Sequence, residues 1–167
     1  MDYFQGVLTD YLRADRAMFV NTECCIQLSP GTNPDRTGHH WYCDAIAVNF
    51  RTTEIFLCEV SYEKSLSALV TRLNSWSEYW PQLKVALVRD CKLPLDWPVC
   101  PWLFVPHDLR STLEQKLNKL SNPGFDNVKM PTPKLTELED ILPWKYKSWN
   151  RIEEDANEDT YPPKIIV

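Results

Sequence analysis

Residues 41–61, WYCDAIAVNFRTTEIFLCEVS, hold two acids inside otherwise apolar runs, Asp44 in the first run and Glu59 in the second. A carboxylate in the middle of a hydrophobic strand is costly unless something pairs with it. The runs stop near Phe50 and resume near Glu54, leaving Arg51, Thr52 and Thr53 for the turn. A two-residue loop that pairs Phe50 with Thr53 sets Asp44 opposite Glu59, where like charges repel. No Asn-Gly or Gly-Gly pair marks this turn, so a slip of one residue is the competing register. A divalent ion with oxygen ligands converts the repulsion into attraction, and Mg²⁺ needs only one or two protein carboxylates. The plainer alternative sends one acid to solvent and pairs the other with Arg51 or Arg72.

Around this hairpin the periodicities predict a sequence of elements. Phe4, Val7, Leu8, Tyr11 and Leu12 have the spacing of an amphipathic helix over 3–15, weakened by Gly6. Residues 18–28 read as a strand, followed by a turn-rich loop, SPGTNPDRTG. Ser65 is placed to cap a helix running to Trp80, with Leu66, Leu69, Val70, Leu73, Trp76 and Trp80 on one stripe and Pro81 as its stop. A short strand is expected over 84–89 and another over 102–105. A helix over 107–120 carries Leu109, Leu113, Leu117 and Leu120 on one face. These elements give an α/β (α+β mixed-sheet) fold with helices on both faces. Residues 1–122 form the core domain. Residues 123–167 form an extension that wraps the core or trails from it, with a brief helical hint at 135–142 and a mobile acidic end.

Asp44-Ala-Ile-Ala-Val, a turn, then Ile55-Phe-Leu-Cys-Glu59-Val-Ser61 and a helix resemble the core of the PD-(D/E)XK nuclease superfamily, restriction-endonuclease-like proteins with an Asp on one strand and Glu/Asp-x-Lys on the next. The resemblance covers residues 1–106 in element order: helix, three-strand meander, helix, strand, strand. It implies a metal-dependent nuclease in which Asp44, Glu59 and the Val60 carbonyl hold Mg²⁺ or Mn²⁺. It also implies nucleic acid, DNA in the first instance, as the partner, and a place in a mobile-element or defence system. Two departures stand out. Cys43 replaces the Pro that often precedes the Asp. Ser61 replaces the Lys that would activate the attacking water and stabilise developing charge. Lys64, three residues on, is the candidate for a displaced amine, with Ser61 orienting the water. An added carboxylate on the first helix is a feature of many members, and the positions for it here are Asp10 and Gln5, with Glu23 on the next strand as a third. The missing Lys also supports the alternative of a catalytically inactive module that binds nucleic acid or a partner protein.

Composition sets bounds on these readings. The 167 residues, 44 % apolar with seven Trp, suit one core. The net charge is −5, but five acids and one Lys in 152–167 account for −4, leaving a nearly neutral body. That tail suggests a phosphate mimic covering a basic groove. No run reaches membrane-span length, and the N-terminus has acids where a signal peptide is basic, so a cytoplasmic location with reduced thiols is expected. His39, His40 and Cys43 with Cys24 and Cys25 lack zinc-site spacing. A Cys nucleophile paired with His107 has no local signature. Lys84, Arg89, Lys92, Lys145, Lys147 and Arg151, the last three interleaved with Trp144, Tyr146 and Trp149, are candidates for phosphate contact and base stacking.

Overall fold

The computed structural model describes residues 3–30, 38–120 and 128–149. The acidic tail, Arg151 and most of the loop after β1 lie outside the described residues. Helix α1 (Tyr3–Arg13) leads into β1 (Met18–Gln27), β2 (His40–Asn49) and β3 (Glu54–Val60), an antiparallel meander. Helices α2 (Ser67–Glu78) and α3 (Trp80–Cys91) cross to β4 (Val99–Val105), parallel to β3. Helix α4 (His107–Leu117) then leads to β5 (Lys134–Glu137), parallel to β4. The result is a five-stranded mixed sheet in the order β1-β2-β3-β4-β5.

The sheet separates two apolar layers. Ile46, Val48, Ile55, Leu57 and Leu103 pack beneath Leu69, Leu73, Trp76, Trp80, Leu83, Leu87 and the α4 leucines 109 and 113. On the other face Ala45, Ala47, Phe56, Cys58, Trp102 and Phe104 meet Val7, Leu8 and Leu12 of α1, with Leu138 and Ile141 from a 3-10 turn after β5. The small Ala45 and Ala47 let α1 approach the strands closely.

Three expectations are corrected. Residues 84–89, read as a strand from their valines, lie in α3. The buried positions Trp80, Leu83, Ala86 and Leu87 recur with helical spacing while Val85 points outward, so the period of burial outweighs β-propensity. Pro81 sits in the first turn of α3, where its missing N–H costs nothing; it starts the second helix as well as ending the first. The element order is therefore helix, three strands, two helices, strand, helix, strand. The helical hint at 135–142 survives only as the 3-10 turn Leu138–Ile141, because residues 134–137 pair with β4. Residues 128–149 thus supply a fifth strand and, through Met130, Leu138, Ile141 and Tyr146, buried side chains.

Pro101 sits inside β4, a strand with neighbours on both sides. Ile55 N–H donates to Pro98 O and Ser61 N–H to Phe104 O, so the even-numbered residues of this stretch face β3. Pro101 faces the other way, and β5 joins the ladder only from Trp102 onward. Its missing donor falls where no partner strand among the described residues needs it.

Candidate functional site

The β2–β3 register is the one expected from a tight turn. Ala45 pairs with Cys58 and Asn49 with Glu54, and the same register carried one residue further sets Asp44 against Glu59. The turn needs no Asn-Gly pair because the Asn49 side chain organises it. Asn49 Oδ1 accepts the Arg51 N–H at 2.9 Å and the Thr52 N–H at 3.3 Å, and Thr53 takes the left-handed conformation at φ 56°.

Regular pairing between β2 and β3 ends just before the acids. In place of a further ladder bond, the Val60 N–H donates to Asp44 Oδ2 at 2.8 Å. The other oxygen, Oδ1, accepts from Gln5 Nε2 on α1 at 2.7 Å. Asp44 therefore ties α1, β2 and β3 together. On β1, across from Asp44, Glu23 adopts φ 53°. Met18 and Val20 pack in the α1 layer, whereas Cys24 and Ile26, of the same parity, pack in the opposite layer. Strict alternation would hold all four on one face, so the sheet turns over at this point. Cys43 and Ala45 on β2 change layers in the same way.

Glu59 is 3 % exposed and faces the α2 layer, where Arg72 Nη1 donates to its Oε2. Its Oε1 is buried and makes no hydrogen bond among the described residues. Burial, then the Asp44 charge, pushes the Glu59 carboxyl up to about 8, against the pull of Arg72. The two acids are thus near enough to repel, yet they reach partners in different layers: Asp44 toward α1, Glu59 toward α2. The pairing of Glu59 with Arg72 is the plainer alternative from the sequence.

The other candidates fall in place around this pair. Val60 ends β3 and Ser61 follows it, with the Ser61 N–H on Phe104 O at 3.0 Å. Lys64 is exposed in the turn before α2. Of the two α1 positions, Gln5 reaches the site. Asp10 lines an open cleft of about 620 Å³ with Arg13, Arg16, Met18 and Trp149, by the β1 residue that pairs with Asn49, five residues along β2 from Asp44. Arg72 is the group that motif reading did not assign to the site; its position one helical turn after Leu69, pointing back along α2, was the available signal.

The oxygen-only donor set of Asp44, Glu59 and backbone suits a hard divalent cation in kind, and the orphaned Glu59 Oε1 is an unused ligand. Among the described residues, no group of three or more His, Cys, Asp or Glu side chains gathers to hold a metal ion. Cys43 and Cys58 are fully buried with thiols pushed up by burial, and His107 is exposed and bonded to Glu137, which removes the Cys–His nucleophile. Arg89 binds Leu28 O and Gln27 O, anchoring α3 to the end of β1. Of the aromatic cluster, Tyr146 packs edge-on against Tyr11, while Trp149 donates to Arg13 O beneath the Arg16 guanidinium. No helix of the described residues is long and apolar enough to cross a membrane.

Comparison of the chain with protein-family models, curated proteins and solved structures finds no match in any of the three.

Proposed function

We propose that the chain is a divalent-metal-dependent nuclease of restriction-endonuclease-like fold, acting on DNA, with Asp44 and Glu59 as its metal-binding carboxylates. The observation that supports this most is that two hydrogen-bonded acids, Asp44 with Gln5 and Glu59 with Arg72, stand opposite each other in register at the point where β2 and β3 cease to pair. Parallel neighbours β3 and β4 both end beside it, and the carboxyl end of parallel strands is where open α/β sheets place their ligands.

Within this reading Asp44, Glu59 and the Val60 carbonyl hold Mg²⁺ or Mn²⁺. The bound metal supplies Lewis-acid polarisation of the phosphate and an acidified water. Gln5 and the Val60 N–H orient the Asp44 carboxylate. Arg72 replaces the motif lysine as the permanent cation of the site, a role for which neither Ser61 nor exposed Lys64 is as well placed. Its guanidinium keeps Glu59 in reach of ionisation before metal arrives. Ser61, next to the Val60 carbonyl, orients the attacking water.

A second reading has one specific observation behind it. Glu59 already has a cation in Arg72, and its side chain lies in a different layer from that of Asp44. Such an arrangement suits a module whose chemistry has lapsed and which binds nucleic acid or a protein partner. Plasmid cleavage with Mg²⁺ or Mn²⁺ separates the two. Cleavage lost in both Asp44→Ala and Glu59→Ala supports the nuclease; no cleavage by the wild type, or cleavage indifferent to both changes, removes these residues from any mechanism.

A further inference from the structure

The cleft beside Asp10 is built where α1 ends and β1 begins, and Ser148 and Trp149 return to form its other wall. Its volume of about 620 Å³ is in the range of ligand clefts. Two cations line it, Arg13 on the last turn of α1 and Arg16 in the turn that follows. Both are exposed, and neither forms an ion pair among the described residues. Two acids line it as well. Asp15 is already engaged, accepting from Arg51 Nη2 and from the Ala17 N–H, each at 2.9 Å. Asp10, one turn before Arg13, is the acid left to face a ligand. The two arginines therefore have charge to spare for one phosphate group, and Asp10 disfavours a second.

The aromatic side chains of the cleft are held in place before any ligand arrives. Trp149 is 60 % exposed, yet its indole N–H donates to Arg13 O at 3.1 Å and the Arg16 guanidinium lies over its ring at 5.2 Å. A guanidinium that stacks by its face keeps its in-plane N–H donors free for an anion. Phe19 is 63 % exposed and stands edge-on to Phe50 at 5.1 Å. Rings fixed in this way lose little conformational freedom on binding.

We propose that this cleft binds an unpaired nucleotide, with Arg13 and Arg16 on its phosphate and the exposed rings of Trp149 and Phe19 against its base. A free nucleoside monophosphate and a nucleotide within a single strand present the same chemistry. Bases within a duplex are stacked on one another and offer no free ring face, so duplex is the poorer ligand. Gln5, which holds Asp44, is eight residues before Arg13 on α1, about 12 Å along the helix. Nucleotide binding here needs no metal and stands apart from the nuclease reading.

The test is titration of the full chain, in the absence of divalent metal, with AMP, a short fluorescein-labelled single strand of DNA, and the same strand as duplex. Binding is read from fluorescence anisotropy and from the Trp149 indole N–H signal in NMR spectra, identified by its loss in Trp149→Phe. The expected result is a saturable shift of that signal. A shift with AMP assigns the cleft to free nucleotides, and a shift with the strand alone assigns it to single-stranded DNA. Trp149→Ala should weaken binding about tenfold, the size of one lost base stack, and Trp149→Phe should retain most of it. Arg13→Gln combined with Arg16→Gln should weaken binding by a similar factor; these exposed positions keep the test informative where Trp149→Ala impairs folding. Inorganic phosphate bound as tightly as AMP, duplex bound more tightly than single strand, affinity unchanged in all the variants, or no binding of any probe would overturn the assignment.

Discussion

The backbone N–H of Val60 donates to the side chain of Asp44 at 2.8 Å, so a carboxylate substitutes for the strand at the place where β2 stops pairing with β3. That single bond explains how an acid is tolerated in an apolar strand without any ion: both its oxygens are satisfied, one by β3 and one by Gln5 of α1. The same is not true of Glu59, whose Oε1 is buried and makes no hydrogen bond among the described residues. The two acids are therefore structurally unequal, and their variants should behave differently.

Asp44→Ala leaves the Val60 N–H and the Gln5 amide without their acceptor. Losing those bonds should cost about 1–3 kcal/mol, read as a lower urea midpoint. Asp44→Asn can accept from Val60 with its oxygen and donate to the Gln5 carbonyl after the amide turns over. It should therefore retain most of the stability.

Glu59 makes stability depend on pH. Its carboxyl sits near 8 in the folded chain, well above its unfolded value, so the native state holds a proton that the unfolded state has released. The folded state binds more protons through this window, so this group's contribution falls as pH rises from about 4.5 and levels off above about 8. The span is on the order of a few kcal/mol. Glu59→Gln, which keeps an acceptor for Arg72 and cannot ionise, should flatten that part of the profile. Thermal unfolding of both proteins between pH 5 and 9 gives the comparison; identical slopes would contradict it.

Gly6 lies inside α1, and a Cβ added there meets nothing within 4 Å. Gly6→Ala should stabilise the chain by up to about 1 kcal/mol through helix propensity and the unfolded state. Because it adjoins Gln5 without touching Asp44, it should do so with no change in metal or DNA binding. Denaturant midpoints and a binding titration check both halves.

Much of this arrangement could be read from the chain. The α1 stripe and the stripe from Leu69 to Trp76 rest on burial patterns with a clear helical period, and the structure has both. The β2–β3 register is the tight-turn one of the two the sequence left open. The helix expected through Trp80 breaks at Tyr79, so that Trp80 opens α3. Three features escaped that reading for physical reasons. The valines of 84–89 advertise a strand, but Leu83, Ala86 and Leu87 are the residues that the core covers, and only the sheet's shape decides that. Strand β5 is four residues long and borrows its order from β4, leaving a local signal too weak to read. The turning over of β1 and β2 at Glu23 depends on a left-handed backbone at a residue with no special claim to one. At the site, Asp44 and Glu59 were legible as misplaced charges. Their division between two layers was not, because alternation alone does not say where a side chain bends at the end of a ladder.

If Asp44 and Glu59 share a divalent cation, calorimetric titration of Mn²⁺ into the full chain at pH 7, in buffers of different ionisation enthalpy, reads it without an intermediary. One ion per chain should bind with release of a proton from Glu59, and both signals should vanish in Glu59→Gln and Asp44→Asn variants that remain folded by circular dichroism. Absence of Mn²⁺ binding by the wild type, or binding that survives both substitutions with the same proton release, would contradict it.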